Sequence, residues 1–155
     1  MSKNIVVQGY SEIQSGEYDV IDVMGAGLVH GNLHADVIDV NGSLEVNGNI
    51  SATSIDVLGG ITCKGVISTQ TLEISGGLEA EGLLAKSITM NISSDTSINH
   101  ISAEFLKITI NPGCGVLKFD VLEDGILQKK EQEHIKGGEI VFQHVILKDF
   151  ILYRT

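Results

Sequence analysis

Apolar residues in the first part of the chain fall in pairs two apart, and the pairs recur on a fixed step. In Ile38-Asp39-Val40-Asn41-Gly42-Ser43-Leu44-Glu45-Val46-Asn47-Gly48-Asn49-Ile50-Ser51-Ala52 the pairs are Ile38 with Val40, Leu44 with Val46, and Ile50 with Ala52. A spacing of two is the strand period, so both members of a pair point to one face. The pairs start six, six and five residues apart, which makes a unit of 17. Each unit predicts three short strands, two Gly-bearing corners and one polar corner. The same step links Val23, Val40, Val57 and Ile74, then Gly25, Gly42, Gly59 and Gly76, then Gly31, Gly48, Gly65 and Gly82. A fixed period over four copies means that one small unit is stacked. Three strands per unit close a triangle with the apolar pairs inside, and like residues stack in columns about 4.8 Å apart. The period near 3.6 that amphipathic helices need is absent.

The predicted fold is therefore all-β: a three-sided parallel β-helix, or solenoid, of about six coils in a single domain spanning 1–155. Residues 1–19 read as an N-terminal cap or partial coil, with Ile5-Val6-Val7-Gln8-Gly9 as its strand. Residues 20–110 carry the repeat coils. The fourth copy loses one residue, so that Ile88 follows Leu72 by 16, and the pattern then blurs. Residues 111–155 read as an irregular C-terminal coil or cap. It opens with a turn at Asn111-Pro112-Gly113 and includes an exposed loop over 123–138 around Gln128-Lys129-Lys130-Glu131. Strand character returns from Glu139 to Tyr153.

Composition narrows the function. The chain is 43% hydrophobic but only 5% aromatic and has no Trp, so its core is aliphatic. The formal charge is −10 with no basic patch, which argues against nucleic acid and against an anionic membrane surface. Cys63 and Cys114 lack C-x-x-C spacing and read as reduced thiols. There is no signal-peptide pattern and no run long enough to span a membrane, so a cytoplasmic location is expected.

Candidate chemistry is sparse. Asp22, Asp39, Asp56 and Glu73 form an outward column of acids, read as a solvated face that deters sideways aggregation or as a ladder for cations or a basic partner. His30 and His34 flank a corner near Asp36, but no His recurs at 17. Gly25-Ala26-Gly27 lacks the Gly-Lys-Ser/Thr ending and following helix of a phosphate loop. Cys63 takes a small inward slot, and Cys114 has no neighbouring group in the sequence to activate it. No catalytic residue, cofactor, metal or small-molecule substrate is expected, and the chain does not read as an enzyme.

The repeated pattern Ile-Asp-Val-x-Gly-x-Leu-x-Val-x-Gly-x-Ile, seen at 38–50 and echoed from 21 to 84, resembles the bactofilins, bacterial polymer-forming cytoskeletal proteins. The lead-in Gly16-Glu17-Tyr18-Asp19-Val20 is also similar to that of Firmicute members. The resemblance implies a right-handed coil. It also implies end-to-end, nucleotide-independent filaments of the chain with itself, with scaffolding roles in cell shape, the envelope or appendages. A solenoid exposes core and unpaired backbone at its ends unless something covers them. Residues expected there are Ile5, Val7 and Tyr10 at one end, and Ile140, Phe142, Val145, Leu147, Phe150, Ile151 and Leu152 at the other. Self-association is expected through Ile5, Val7, Ile140, Phe142, Val145, Leu147 and Phe150, and a charge at Val7 or Phe150 is expected to abolish assembly without disturbing the β fold. The C-terminal segment reads equally as a cap. The alternative function is a non-polymerising module that binds a partner in envelope or flagellar assembly through the acidic face or the C-terminal segment.

Overall fold

The step of 17 in the sequence is a register in the structure. In this computed structural model Val7 pairs with Val23, Val23 with Val40, Val40 with Val57, and Val57 with Ile74. Residues 3–92, 96–110, 116–123, 126–132 and 138–153 are described, with side chains for 3–91, 96–109, 120 and 141–151. All of the regular structure among these residues is β. One face stacks β1 (Asn4–Val7) on the second half of β3 (Gly16–Val23), then of β5 (Leu33–Val40) and of β7 (Ile50–Val57). A second face stacks β2 (Tyr10–Ile13), β4 (Ala26–Val29) and β6 (Ser43–Val46). The third face uses the first halves of β3, β5 and β7. All three faces continue, parallel, onto β8 (Gly60–Ile92) and β9 (Thr96–Ile110). This is a β-solenoid of about six turns.

The inward positions form the core. Ile21, Ile38, Ile55 and Leu72 make one column, and Val23, Val40, Val57 and Ile74 the next, all buried. Gly27 would leave a gap in its column. The methyl ends of Leu44 and Ile13 fill it, both within 3.3 Å of where a Cβ would stand. Between β8 and β9 the step lengthens to 18, with Glu79 beside Ser97 and Ile88 beside Leu106. That extra residue is why the sequence pattern blurs there.

Two corners are built by backbone contact. At the first, the carbonyl of each glycine lies where the next one's Cβ would be: Gly9 over Gly25, Gly25 over Gly42, Gly42 over Gly59, and Gly59 over Gly76. The same carbonyls accept from the next coil, as in Ser43 N–H to Gly25 O at 2.9 Å and Gly60 N–H to Gly42 O at 3.0 Å. Any side chain there would force coils apart. At the second corner, asparagines form a ladder. The Asn49 N–H donates to Asn32 Oδ1 at 2.8 Å, and the Val66 N–H donates to Asn49 Oδ1 at 2.9 Å. Each carboxamide satisfies a corner amide that no strand ladder reaches.

Beyond β9 the architecture reverses. β12 (Gly138–Tyr153) runs antiparallel to β9, from Gly138 beside Ile110 to Leu152 beside Thr96. β10 (Val116–Glu123) is antiparallel to β12, and β11 (Ile126–Gln132) is antiparallel to β10. The polar stretch expected as a loop over 123–138 thus contains a strand. β10 supplies the backbone partners that its polar side chains gave no sign of. The expected turn at Asn111-Pro112-Gly113 lies outside the described residues. No helix among them is long and apolar enough to cross a membrane.

Candidate docking surface

The two ends of the solenoid are built differently. At the C-terminal end, β12 wraps the last parallel coil in the opposite sense, around the same corners. The register skips one residue on each strand between Gln143–Phe105 and Val145–Ala103, and again between Lys148–His100 and Phe150–Ile98. The skipped residues of β12 are His144 and Asp149, both with φ of 51°. A strand running backwards round these corners needs the left-handed conformation, and Asp and His are among the non-glycine residues that adopt it most readily. Val145, Leu147 and Phe150 are buried, and Phe150 is fully so. Phe142 is half-buried against the same core.

These placements bear on the residues expected at a docking surface. Phe150, Leu147 and Val145 point into the chain's own core and seal it. Val7 is buried in the same way, and Ile5 packs half-buried beside it. A charge at Val7 or Phe150 would enter that core, so the expectation that such a variant keeps its β fold is corrected. Ile140 and Leu152 lie on β12, and their side chains fall outside the described residues. Ile151 is exposed on the same strand.

At the N-terminal end the parallel stack stops. β1, β2 and the first half of β3 have partners only on the side of the following coil among the described pairings. The core beneath is closed by Val7, Ile13 and Tyr18. Tyr18, which the sequence marked only as part of the lead-in, was not foreseen as a core residue. Its ring fills the column that Ala35 and Ala52 continue, and its hydroxyl donates to the Gln14 carbonyl at 2.7 Å. The Lys3 Nζ sits 4.5 Å above that ring. The Lys3 N–H donates to Asp19 Oδ2 at 2.8 Å, and the Asp19 N–H returns to the Lys3 carbonyl at 2.7 Å. Around the rim, Val6 is 59% exposed and Tyr10 67%. Met24, which donates its N–H to the Val7 carbonyl, is exposed next to them. Rim and edge together leave backbone that is unpaired among the described residues, bordered by apolar side chains.

The other candidates resolve as follows. Asp22, Asp39, Asp56 and Glu73 stand in register on adjacent coils. Burial, then the charges of Asp22 and Asp56, push the Asp39 carboxyl up from its ordinary value. Asp22 Oδ1 is screened from solvent and finds no hydrogen-bond partner among the described residues. His30 Nε2 lies 3.3 Å from Glu12 Oε1 on the exposed surface. No three His, Cys, Asp or Glu side chains among the described residues gather closely enough to hold a metal ion. Cys63 is a free, buried thiol that donates to the Gly48 carbonyl at 3.1 Å, and burial pushes its pKa up, away from nucleophilic character. Cys114 lies outside the described residues.

Among known proteins, no family model, no curated protein and no solved structure matches this chain.

Proposed function

We propose that this chain is a structural scaffold that associates with itself through the ends of its coil, without nucleotide, in the bacterial cytoplasm. One observation carries the reading. The N-terminal coil presents an uncharged parallel strand, Asn4-Ile5-Val6-Val7, with an edge that is unpaired among the described residues and exposed Val6 and Tyr10 beside it. Unpaired edges are templates for pairing with another chain unless charge, proline or a bulge blocks them, and β1 has none of the three. The likeness of the repeat to bactofilins points the same way. Negative-stain electron microscopy and light scattering of the purified chain, without nucleotide, test the proposal. Assemblies larger than one chain that grow with concentration are expected, and uniform monomers at every concentration would discard it.

A second reading, an interaction module that binds an envelope or flagellar assembly protein through the acidic face, has one observation in its favour. Asp22, Asp39, Asp56 and Glu73 stand in register on adjacent coils, a column of carboxylates that a partner's cationic donors would pair with. Loss of partner binding on replacing Asp22, Asp39 and Asp56 by Asn, with self-association unchanged, would select it.

A further inference from the structure

We infer that the sheet face carrying Asp22, Asp39, Asp56 and Glu73 docks a basic amphipathic helix of a partner protein, laid along the solenoid axis with about one helical turn per coil. The inference deepens the second reading above: it rests on binding through the acidic face and names the shape and chemistry of what binds.

The face carries more than acids. Eight large apolar side chains are exposed among the described residues, and four of them gather round this one column. Val6 pairs with Asp22 on the coil before it. Val37 shares the outward side of β5 with Asp39, two residues on. Met24 and Leu58 stand exposed where β3 and β7 end, two residues past Asp22 and Asp56. Scattered apolar side chains are ordinary on a surface, whereas apolar groups gathered about a charged row mark a place of contact.

The charge decides what makes that contact. Lys64 is the only lysine or arginine from residue 4 to residue 85. It lies at the corner between Cys63 on the second face and Ile67 on the third, away from the acids. The first coils therefore bring no cation of their own to the column. Burial and the charges of Asp22 and Asp56 already push the Asp39 carboxyl up, and a cationic stripe laid over the column relieves that repulsion.

The spacing selects a helix. Adjacent coils are about 4.8 Å apart, so the column from Asp22 to Glu73 runs about 14 Å. Three helical turns cover about 16 Å, and the flexible stems of lysines absorb the difference. An extended segment repeats its same-side residues every ~6.7 Å and covers about 20 Å in three such steps, which puts it a whole coil out of step. Across the face, positions two residues either side of an acid are about 13 Å apart, and a helix with its side chains is about 10–12 Å across. A basic stripe can thus lie on the acids while apolar side chains on both flanks meet Val37, Met24 and Leu58.

The test is fluorescence anisotropy of three labelled 18-residue peptides against the full chain. One is a Leu/Lys/Ala helix with a lysine stripe flanked by leucines, the second is the same composition scrambled, and the third has Glu in place of Lys. Expected is binding of the patterned peptide alone, weakened by salt. Asp39→Asn with Asp56→Asn should weaken it roughly tenfold or more, and Leu58→Ser about fivefold. Leu84→Ser, at an exposed position on another face, should leave it unchanged. Equal binding of the patterned and scrambled peptides would overturn the docked helix and leave binding through the acidic face standing. Binding that yields to Leu84→Ser and not to Leu58→Ser would place the contact on another face and overturn it as well. No binding of either basic peptide, even at low salt, would overturn this inference together with the reading on which it rests.

Discussion

Tyr18 pairs with Ala35, and in the core the large ring stands where the next coil has a methyl group. One position earlier on the same face the sizes are exchanged, because Gly16 pairs with Leu33. The first coil thus fills its interior with one aromatic where the next coil uses a leucine and an alanine. Tyr18→Ala should leave a void under the N-terminal edge and cost about 3 kcal/mol or more, in the range for emptying a buried aromatic site. Tyr18→Phe removes only the hydrogen bond to the Gln14 carbonyl and should cost about 1 kcal/mol. Because the ring closes an end, the loss should be local. Hydrogen exchange should accelerate in β1 and β2 of the Ala variant before it does in β5 and β7. Equal acceleration throughout would show that the end coil does not fray on its own.

Gly59 and Gly60 are adjacent and should respond oppositely to the same change. A Cβ on Gly59 collides with the Gly42 carbonyl, which is itself bonded to the next coil. A Cβ on Gly60 meets nothing within 4 Å, and its φ lies outside the left-handed region. Gly59→Ala should cost about 3 kcal/mol or more, since backbone on both sides must shift. Gly60→Ala should be neutral or stabilise by up to about 1 kcal/mol, by restricting the unfolded chain. Urea midpoints of the two variants decide it. A destabilised Gly60→Ala, or a tolerated Gly59→Ala, would mean that the corner column is not held by backbone contact.

The sequence made the columns legible because their period is long and regular. Val23, Val40, Val57 and Ile74 are found by counting, and so are the corner glycines. It hid the direction of β12, because alternation of inward and outward residues reads the same forwards and backwards. Ile140, Phe142, Val145, Leu147 and Phe150 therefore fitted a continuing coil, a cap or a docking face equally well. Only the pairing of β12 with β9 shows that three of them seal the chain's own core. Tyr18 escaped notice because its column holds alanines in the next two coils, and a ring there looked like a break in the pattern. The Asn32–Asn49 ladder left a signal that went unread: two asparagines 17 apart, each just after a corner glycine.

That ladder should carry measurable stability. Asn49→Ala removes the acceptor for the Val66 N–H. The bond lies at the surface, so water replaces part of it, and the expected cost is about 1 kcal/mol. Asn32→Ala should cost a similar amount through the Asn49 N–H. The two sites share Asn49, so the double variant should lose less than the sum of the single ones, which a double-mutant cycle in urea measures. Strict additivity would mean that the two rungs act independently.

Asp39 gives the pH prediction. Its carboxyl is pushed up by burial first, then by Asp22 and Asp56 on the coils either side. A raised acid holds its proton more tightly in the folded chain than in the unfolded one. Stability therefore falls as pH rises from the ordinary carboxylate range through the raised value, and the loss is complete above it. Asp39→Asn removes that penalty. At pH 7 the variant should be more stable than the wild type by less than about 1 kcal/mol, because solvent screens this partly exposed column. Below about pH 3, where the carboxyl is protonated in both states, the two should converge. Salt should shrink the part due to Asp22 and Asp56 and leave the part due to burial. Thermal melts from pH 3 to pH 7 at two salt concentrations, in the presence of a chelator, measure all of this. A variant less stable than the wild type at pH 7 would reverse the sign and mean that the Asp39 carboxylate is held by something more favourable than water, which repulsion along the column does not provide.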